Sequence, residues 1–431
     1  MKEQLKIAVI GAGSSYTPEL VEGLIEQWHE LPVSQLLLMD IDQRKLGIVG
    51  GLAQRMVAVS DRDIEVLTTL DRVQAIKGAQ FVISQIRVGG MDARIKDEQI
   101  PPQFGSIGQE TTGPGGFAKA LRTIPVALSI AEDIEKHAPG AFLLNFTNPA
   151  GLITEALLRY SSVPTIGLCN LPIGAEMRQA KAFGVDHSRV RLDWVGLNHL
   201  NWIRGASIDG EDVWFKLFQR ELQEAREKEE DGWNFSEDLL RTVGMIPCGY
   251  LNYYYDHDRI LAKQQVAERT RGQEVKEIEQ KLMTLYQDPQ LAEKPDLLEK
   301  RGGAYYSKAA VSLISALAND KKEVHIVNTR NQSAVPDLPD DVVVEVAATV
   351  GASGAIPIPV APMPPEIGGL VQQVKAYEVL TAIAGAEGDR RRALQALLAH
   401  PLVSSFTAAK GLLDALLEAH REYLPQFSAG E

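Results

Sequence analysis

Cysteine is almost absent from this chain: there are two in 431 residues, Cys169 and Cys248. Two thiols cannot build a disulfide framework, so free thiols in a reducing compartment are expected. No apolar run approaches the ~18 residues that mark a transmembrane helix, and no membrane partner is expected. The first residues lead straight into a strand-like run, without the apolar region and cleavage site of a signal peptide, so a cytoplasmic location is expected. Lys/Arg-rich runs are missing too, and 44 basic against 57 acidic residues leave a net charge of −13. Nucleic acid needs a concentrated basic surface, so that balance argues against it as a partner. An anionic small molecule is still compatible, since a few local arginines make a positive pocket in an acidic protein. Neither an internal repeat nor a low-complexity tract is found.

What is present fits a soluble globular protein: 45% apolar and 23% charged residues, on a chain long enough for two domains. Short apolar runs at Leu5–Ile10, 36–39, 64–68, 81–85, 142–145 and 165–168 alternate with helix-period segments. Continuous apolar strands separated by helices imply a parallel sheet covered on both faces. The expected fold is therefore α/β: an N-terminal Rossmann-like, doubly wound parallel sheet over 1–170. A C-terminal α+β domain of mixed strands and helices is expected over 171–431. There, 190–196, 201–203, 324–327 and 342–350 read as strands, and 211–230, with eleven charged residues, reads as a solvated helix. The Ala- and Leu-rich last 60 residues read as helices that pack internally or across a dimer. A homo-oligomer, dimer or tetramer, is expected.

The first strand runs into Gly11-Ala-Gly13-Ser14-Ser15-Tyr16, and a helix follows. Gly11 allows a tight turn, Gly13 lets the backbone approach a pyrophosphate, and the helix N-terminus offers free N–H groups to the anion. Asp40 ends the second strand, 29 residues after Gly11, where a carboxylate accepts ribose hydroxyls and favours NAD over NADP. The third position of the G-x-G-x-x-G pattern holds Tyr16, where a small residue normally permits close helix–strand packing.

A second set of polar residues also falls at predicted strand ends, where open α/β sheets bind ligands. It comprises Arg87-Val-Gly-Gly90, Asn145-Phe-Thr-Asn148-Pro149, Cys169-Asn170-Leu-Pro172 and Gly196-Leu-Asn198-His199. A Gly-rich loop, Gly108 to Gly116, is long and polar enough to be a site loop. A lone cysteine is usually a small core residue and a lone histidine a hydrogen-bonded structural one. Together, Cys169 and His199 make a possible two-ligand metal pair with open coordination positions. Thiolate plus imidazole ordinarily points to zinc, iron, cobalt or nickel.

The ordered set GAGSSYTP, RVGG, GQETTGPGG, NFTNPAG, CNLP, GLNH and IPCGYLNYYY across residues 8–255, continued by Thr270-Arg271-Gly272-Gln273-Glu274-Val275, resembles the NAD- and metal-dependent glycosidases of glycoside hydrolase family 4. Asn170, directly after the cysteine, resembles the 6-phospho-β-glucosidase branch; Asp there resembles the α-glucoside branch, and His resembles the α-galactosidases or glucuronidases. NAD-dependent members are exceptions to the two-carboxylate glycosidase scheme, and no convincing pair of isolated carboxylates is found here. The resemblance implies hydrolysis of a phosphorylated disaccharide by oxidation at sugar C3, metal-assisted deprotonation at C2, loss of the aglycone, water addition and re-reduction. It implies NAD and Mn²⁺ as cofactors, with Cys169 and His199 as metal ligands. Substrate oxygens and water completing the coordination shell reconcile Mn²⁺ with this donor pair.

The same resemblance makes Tyr250 the C2 base, with Tyr253, Tyr254 and Tyr255 as rivals. An unperturbed phenol near pKa ~10 needs a neighbouring cation for that role. Asn170 and Asn148 would hydrogen-bond sugar hydroxyls, and Glu110 would lie near cofactor and sugar. Arg271, with Arg87 as a second candidate, would pair with the 6-phosphate; read from charge pattern alone, Arg271 belongs to a solvated helix face. Competing readings are an NAD-dependent 2-hydroxy-acid dehydrogenase, another family 4 specificity, or a non-catalytic nucleotide-binding protein. Following NADH absorbance during turnover separates the first of these. A redox-neutral hydrolase forms product with no matching accumulation of NADH, whereas a dehydrogenase accumulates it one for one.

Overall fold

A computed structural model describes residues 5–227, 235–301 and 305–427. The N-terminal strands are β1 (Leu5–Ile10), β2 (Val33–Met39), β3 (Glu65–Thr69), β4 (Phe81–Ser84), β5 (Phe142–Asn145) and β6 (Thr165–Gly167). They pair in parallel in the order β3-β2-β1-β4-β5-β6, the doubly wound arrangement expected from the sequence. Their apolar runs are unbroken because both faces are covered. Along β1, Ile7 and Val9 enter one core cluster, while Ala8 and Ile10 enter the other.

A second sheet is antiparallel: β7 (Val190–Leu197), β8 (Leu200–Ile208), β9 (Glu211–Asp212) and β10 (Ile246–Pro247). Three further strands, β11 (Glu323–Arg330), β12 (Val343–Gly351) and β13 (Gly354–Pro357), return to the first sheet and extend it beyond β6 by antiparallel pairing. The large sheet therefore has nine strands and draws on both halves of the chain. The charged segment 211–230 forms the helix Trp214–Glu227, preceded by the short β9; its last three residues lie outside the described residues. The strand read at 201–203 is nine residues long in β8, because pairing with β7 continues past the apolar stretch. Gly196-Leu-Asn198-His199, read as the end of a strand, instead closes a hairpin: Leu197 pairs with Leu200, and Asn198 and His199 form the turn. The C-terminal helices pack internally, with Leu412, Leu413 and Leu416 of Phe406–Ala419 in the main core. Among the described residues no helix is long and apolar enough to cross a membrane.

One buried ion cluster fixes the loop that follows β4. Arg122, on the long helix Gly113–His137, donates two hydrogen bonds to Asp97 on the helix Gly90–Gln99, at 2.8 and 2.6 Å. Its Nε donates to the carbonyl of Val88 at 2.9 Å. His420, just past the last long helix, lies 3.0 Å from the same carboxylate, and all three side chains are fully buried. Removing one partner of a buried pair leaves the other charge uncompensated. Asp97→Ala should therefore lower the unfolding free energy by about 3–5 kcal/mol, read as a shift in the urea denaturation midpoint.

Candidate active site

The glycine-rich turn sits where the strand order reverses, between β1 and β4. Gly11 has φ +89°, and a Cβ there would stand 2.9 Å from the carbonyl carbon and oxygen of Gln85, just past β4. The two loops flanking the switch point thus touch backbone to backbone. Gly13 donates its N–H to Asp40 Oδ2 at 2.7 Å, and a Cβ on Gly13 would lie 2.8 Å from that oxygen. The other Asp40 oxygen accepts from the Asp42 N–H at 2.9 Å. Asp40 therefore braces the glycine turn directly, a link that spacing did not reveal. Ser14 Oγ accepts the Tyr16 N–H at 3.3 Å. Tyr16 caps the helix Thr17–Glu26 instead of lying within it, and its ring carries the Arg301 guanidinium 4.1 Å from the ring centre. That placement explains how a large residue stands at the third position of the motif.

Cys169 precedes the helix Asn170–Phe183, and His199 occupies the hairpin turn with φ +63°. Cys169 Sγ lies 3.6 Å from His199 Nε2. At that separation the sulfur and the ring nitrogen can bond one ion as neighbouring ligands. Among the described residues no group of three or more His, Cys, Asp or Glu is placed to hold an ion, so this pair leaves most of a coordination shell open. Burial pushes the Cys169 thiol up to about 12, reinforced by Glu345, so the sulfur needs a cation to lose its proton. Burial pushes His199 down to about 3, which keeps the imidazole neutral as a ligand must be. Cys248 packs against the main core and donates its N–H to the Asn201 carbonyl at 3.0 Å.

Tyr250 stacks on His199, with ring centres 3.9 Å apart and planes 8° from parallel. Its hydroxyl hydrogen-bonds the Thr111 side chain in the glycine-rich loop, and burial raises the phenol above its ordinary value. Its rivals are placed differently. Tyr253 lies 6.1 Å from Tyr250, Tyr254 stacks toward His400, and Tyr255 accepts a 3.1 Å hydrogen bond from Trp202. Asn148 Oδ1 is buried with no partner among the described residues. Asn145 instead builds its own turn, bonding the carbonyls of Thr147 and Ala150. Asn170 opens the helix after Cys169.

Glu110 gathers three cations. Its Oε2 takes Arg87 and, at 2.7 Å, Lys119, and its Oε1 takes Arg94 at 2.8 Å. Arg94 also binds Glu98 at 2.8 Å, which brings a second carboxylate into the cluster. Burial alone would raise Glu110, but Arg87, Lys119 and Arg94 outweigh it and hold the carboxyl well below its usual range. Burial and Arg87 push Lys119 down to about 7 against the pull of Glu110. The field of Glu110 reaches Tyr16, His199 and Tyr250, so the glycine turn, the thiol–imidazole pair and the cation cluster share one neighbourhood. Arg271 stands at its margin, half-exposed and paired with Glu274 at 2.9 Å. Its neighbour Gly272 donates to Glu98 at 2.6 Å. Arg94, Lys119 and Glu345 were not singled out from the sequence, and Asn198 was named only as part of a polar strand-end set. Glu345 did leave a signal, as a lone charge inside an otherwise apolar strand.

Comparison with known proteins agrees over nearly the whole length. Residues 6–185 match the model for family 4 glycosyl hydrolases, and residues 194–403 match that for the family's C-terminal domain. A probable 6-phospho-β-glucosidase of Bacillus subtilis is 49% identical, covering 99% of each chain. The 6-phospho-β-glucosidase of Escherichia coli is 40% identical over 99% of this chain and 98% of its own. The 6-phospho-β-glucosidase of Thermotoga maritima, solved with manganese, NAD⁺ and glucose-6-phosphate, superposes with a TM-score of 0.90 at 38% identity, covering 97% of this chain and 99% of that one. The chain belongs to family 4 of the glycosyl hydrolases.

Proposed function

We propose that this protein hydrolyses 6-phospho-β-glucosides in the cytoplasm, using NAD and a divalent ion, Mn²⁺ by preference. The observation that carries this reading is the Cys169–His199 pair at 3.6 Å, with Tyr250 stacked on the imidazole. The names of the relatives and the ligands of the Thermotoga structure support the substrate class and the cofactors. When bound, NAD accepts and returns a hydride, and the ion acts as a Lewis acid.

The chain's own residues take the following parts in this reading. The turn at Gly11, Gly13 and Ser14 and the N-terminus of Thr17–Glu26 bind the pyrophosphate, and Asp40 accepts ribose hydroxyls through lone pairs left beside Gly13 and Asp42. Cys169 and His199 hold the ion on the sugar side. Tyr250 takes the C2 proton on its phenolic oxygen. The protein alone raises this phenol, so the neighbouring cation is what makes it a base. Asn148 Oδ1, otherwise unpartnered, accepts from a sugar hydroxyl, and Asn170 binds a second. Glu110 keeps Arg87, Arg94 and Lys119 together, so that these basic groups stand ready beside an anionic substrate. Arg271 and Arg87 pair with the 6-phosphate.

The test is release of p-nitrophenol from p-nitrophenyl β-glucoside 6-phosphate after dialysis against chelator and removal of bound nucleotide. Activity should return only when NAD⁺ and Mn²⁺ are both added. Turnover with either one missing would overturn the reading, and equal turnover of the unphosphorylated glucoside would overturn the substrate class. Cys169→Ser should abolish the Mn²⁺-dependent rate. Gly13→Ala, which drives a methyl group against Asp40, should weaken NAD⁺ binding about tenfold by fluorescence titration, with little effect on Mn²⁺ affinity.

A further inference from the structure

Glu345 lies on β12, fully buried in a run of valines. Among the described residues it makes no salt bridge. Its carboxylate is met by four neutral donors: Trp194 Nε1 at 3.1 Å and Asn201 Nδ2 at 2.9 Å on Oε2, and Asn198 Nδ2 at 2.9 Å and Asn328 Nδ2 at 3.1 Å on Oε1. These donors come from β7, β8, the turn between them and β11. A buried carboxylate without a cation is costly and seldom kept for stability alone. The groups it touches show what it serves. Asn198, held by Glu345, also hydrogen-bonds the Cys169 thiol. Its Oδ1 accepts the Gly151 N–H at 3.4 Å. His199 comes next, with φ +63°, a backbone conformation that persists in a residue with a Cβ only where the surroundings dictate it. Asn201, two residues further on, is tied to the same carboxylate and to the Leu197 carbonyl at 3.2 Å. One anion thus grips the hairpin turn on both sides of His199 and, through Asn198, the sulfur of Cys169.

We infer that Glu345 is a positioning residue for the metal centre: it sets the Cys169–His199 geometry through Asn198 and Asn201 and supplies the nearby negative charge that a divalent ion there calls for. This rests on the metal reading above. Loss of such an outer partner costs 10- to 100-fold in metal affinity in known sites.

The test uses the full-length protein, with Mn²⁺ binding followed by the EPR signal of the free ion, NAD⁺ binding by fluorescence and folding by thermal melting. Glu345→Gln places an amide N–H₂ against donors. It should raise the Mn²⁺ Kd by about 10- to 100-fold and leave the NAD⁺ Kd essentially unchanged. Asn198→Ala, which cuts the link to Cys169 but keeps the other three donors, should shift the Mn²⁺ Kd in the same direction. A folded Glu345→Gln protein with wild-type Mn²⁺ affinity would overturn the inference, as would an equal loss of NAD⁺ and Mn²⁺ affinity. Should Glu345→Gln fail to fold, Asn198→Ala decides, and an unchanged Mn²⁺ Kd there counts against the proposal. If Cys169→Ser binds Mn²⁺ as the wild type does, the metal reading falls, and this inference with it.

Discussion

A thiol and an imidazole held 3.6 Å apart, one stepping off a parallel sheet and the other in the turn of an antiparallel hairpin, set the terms for everything around them. Neither sheet brings them together alone. The meeting requires β7 and β8 to lie over β11 and β12, which themselves continue the nucleotide-binding sheet. The bonds from Glu345 on β12 to Trp194, Asn198 and Asn201 are the polar part of that junction. The apolar part is Ile326 and Ala347 packing with Val190, Leu192 and Trp194. Burial pushes the two groups in opposite senses, raising the thiol and lowering the imidazole.

The cation cluster follows a different logic. Three basic side chains sharing one buried carboxylate would be unstable without it, and Glu110 in return has its charge fixed by them. Such a group is a poor proton donor at neutral pH and a good internal counter-ion. The resemblance to a known family placed Glu110 near cofactor and sugar. Its surroundings assign it the more specific work of arranging Arg87, Arg94 and Lys119.

Local pattern carried the fold a long way. The six parallel strands are short apolar runs whose burial on both faces leaves no alternation to misread. The glycine turn and Asp40 lie close in sequence to the strands that display them, so spacing was enough to find them. The three strands that widen the sheet were legible as strands but not as part of that sheet. Their pairing with β6 rests on the single register position Asn328–Gly167, a long-range contact with no local mark. Likewise GLNH read as a strand end, because a two-residue turn whose second residue is a histidine at positive φ lacks the usual Asn-Gly signature. Arg94 escaped notice because a charged residue on a polar helix looks solvated until the helix is packed. The motif set found Tyr250, but only the stack on His199 separates it from the three tyrosines that follow it closely.

The cluster of Arg122, Asp97 and His420 gives the fold a direction in time. Asp97 and Arg122 are made early in synthesis, yet their third partner, His420, follows the helix Phe406–Ala419, and Tyr423 packs beside Gly89 in the loop that carries Arg87. A growing polypeptide can lay down its first six strands as they emerge, and Arg122 can already hold the loop after β4 and Asp97, but the histidine joins them only once the segment after Phe406–Ala419 has been made. Fragments that stop short of that segment therefore keep the Arg122–Asp97 pair but leave its carboxylate without the covering histidine.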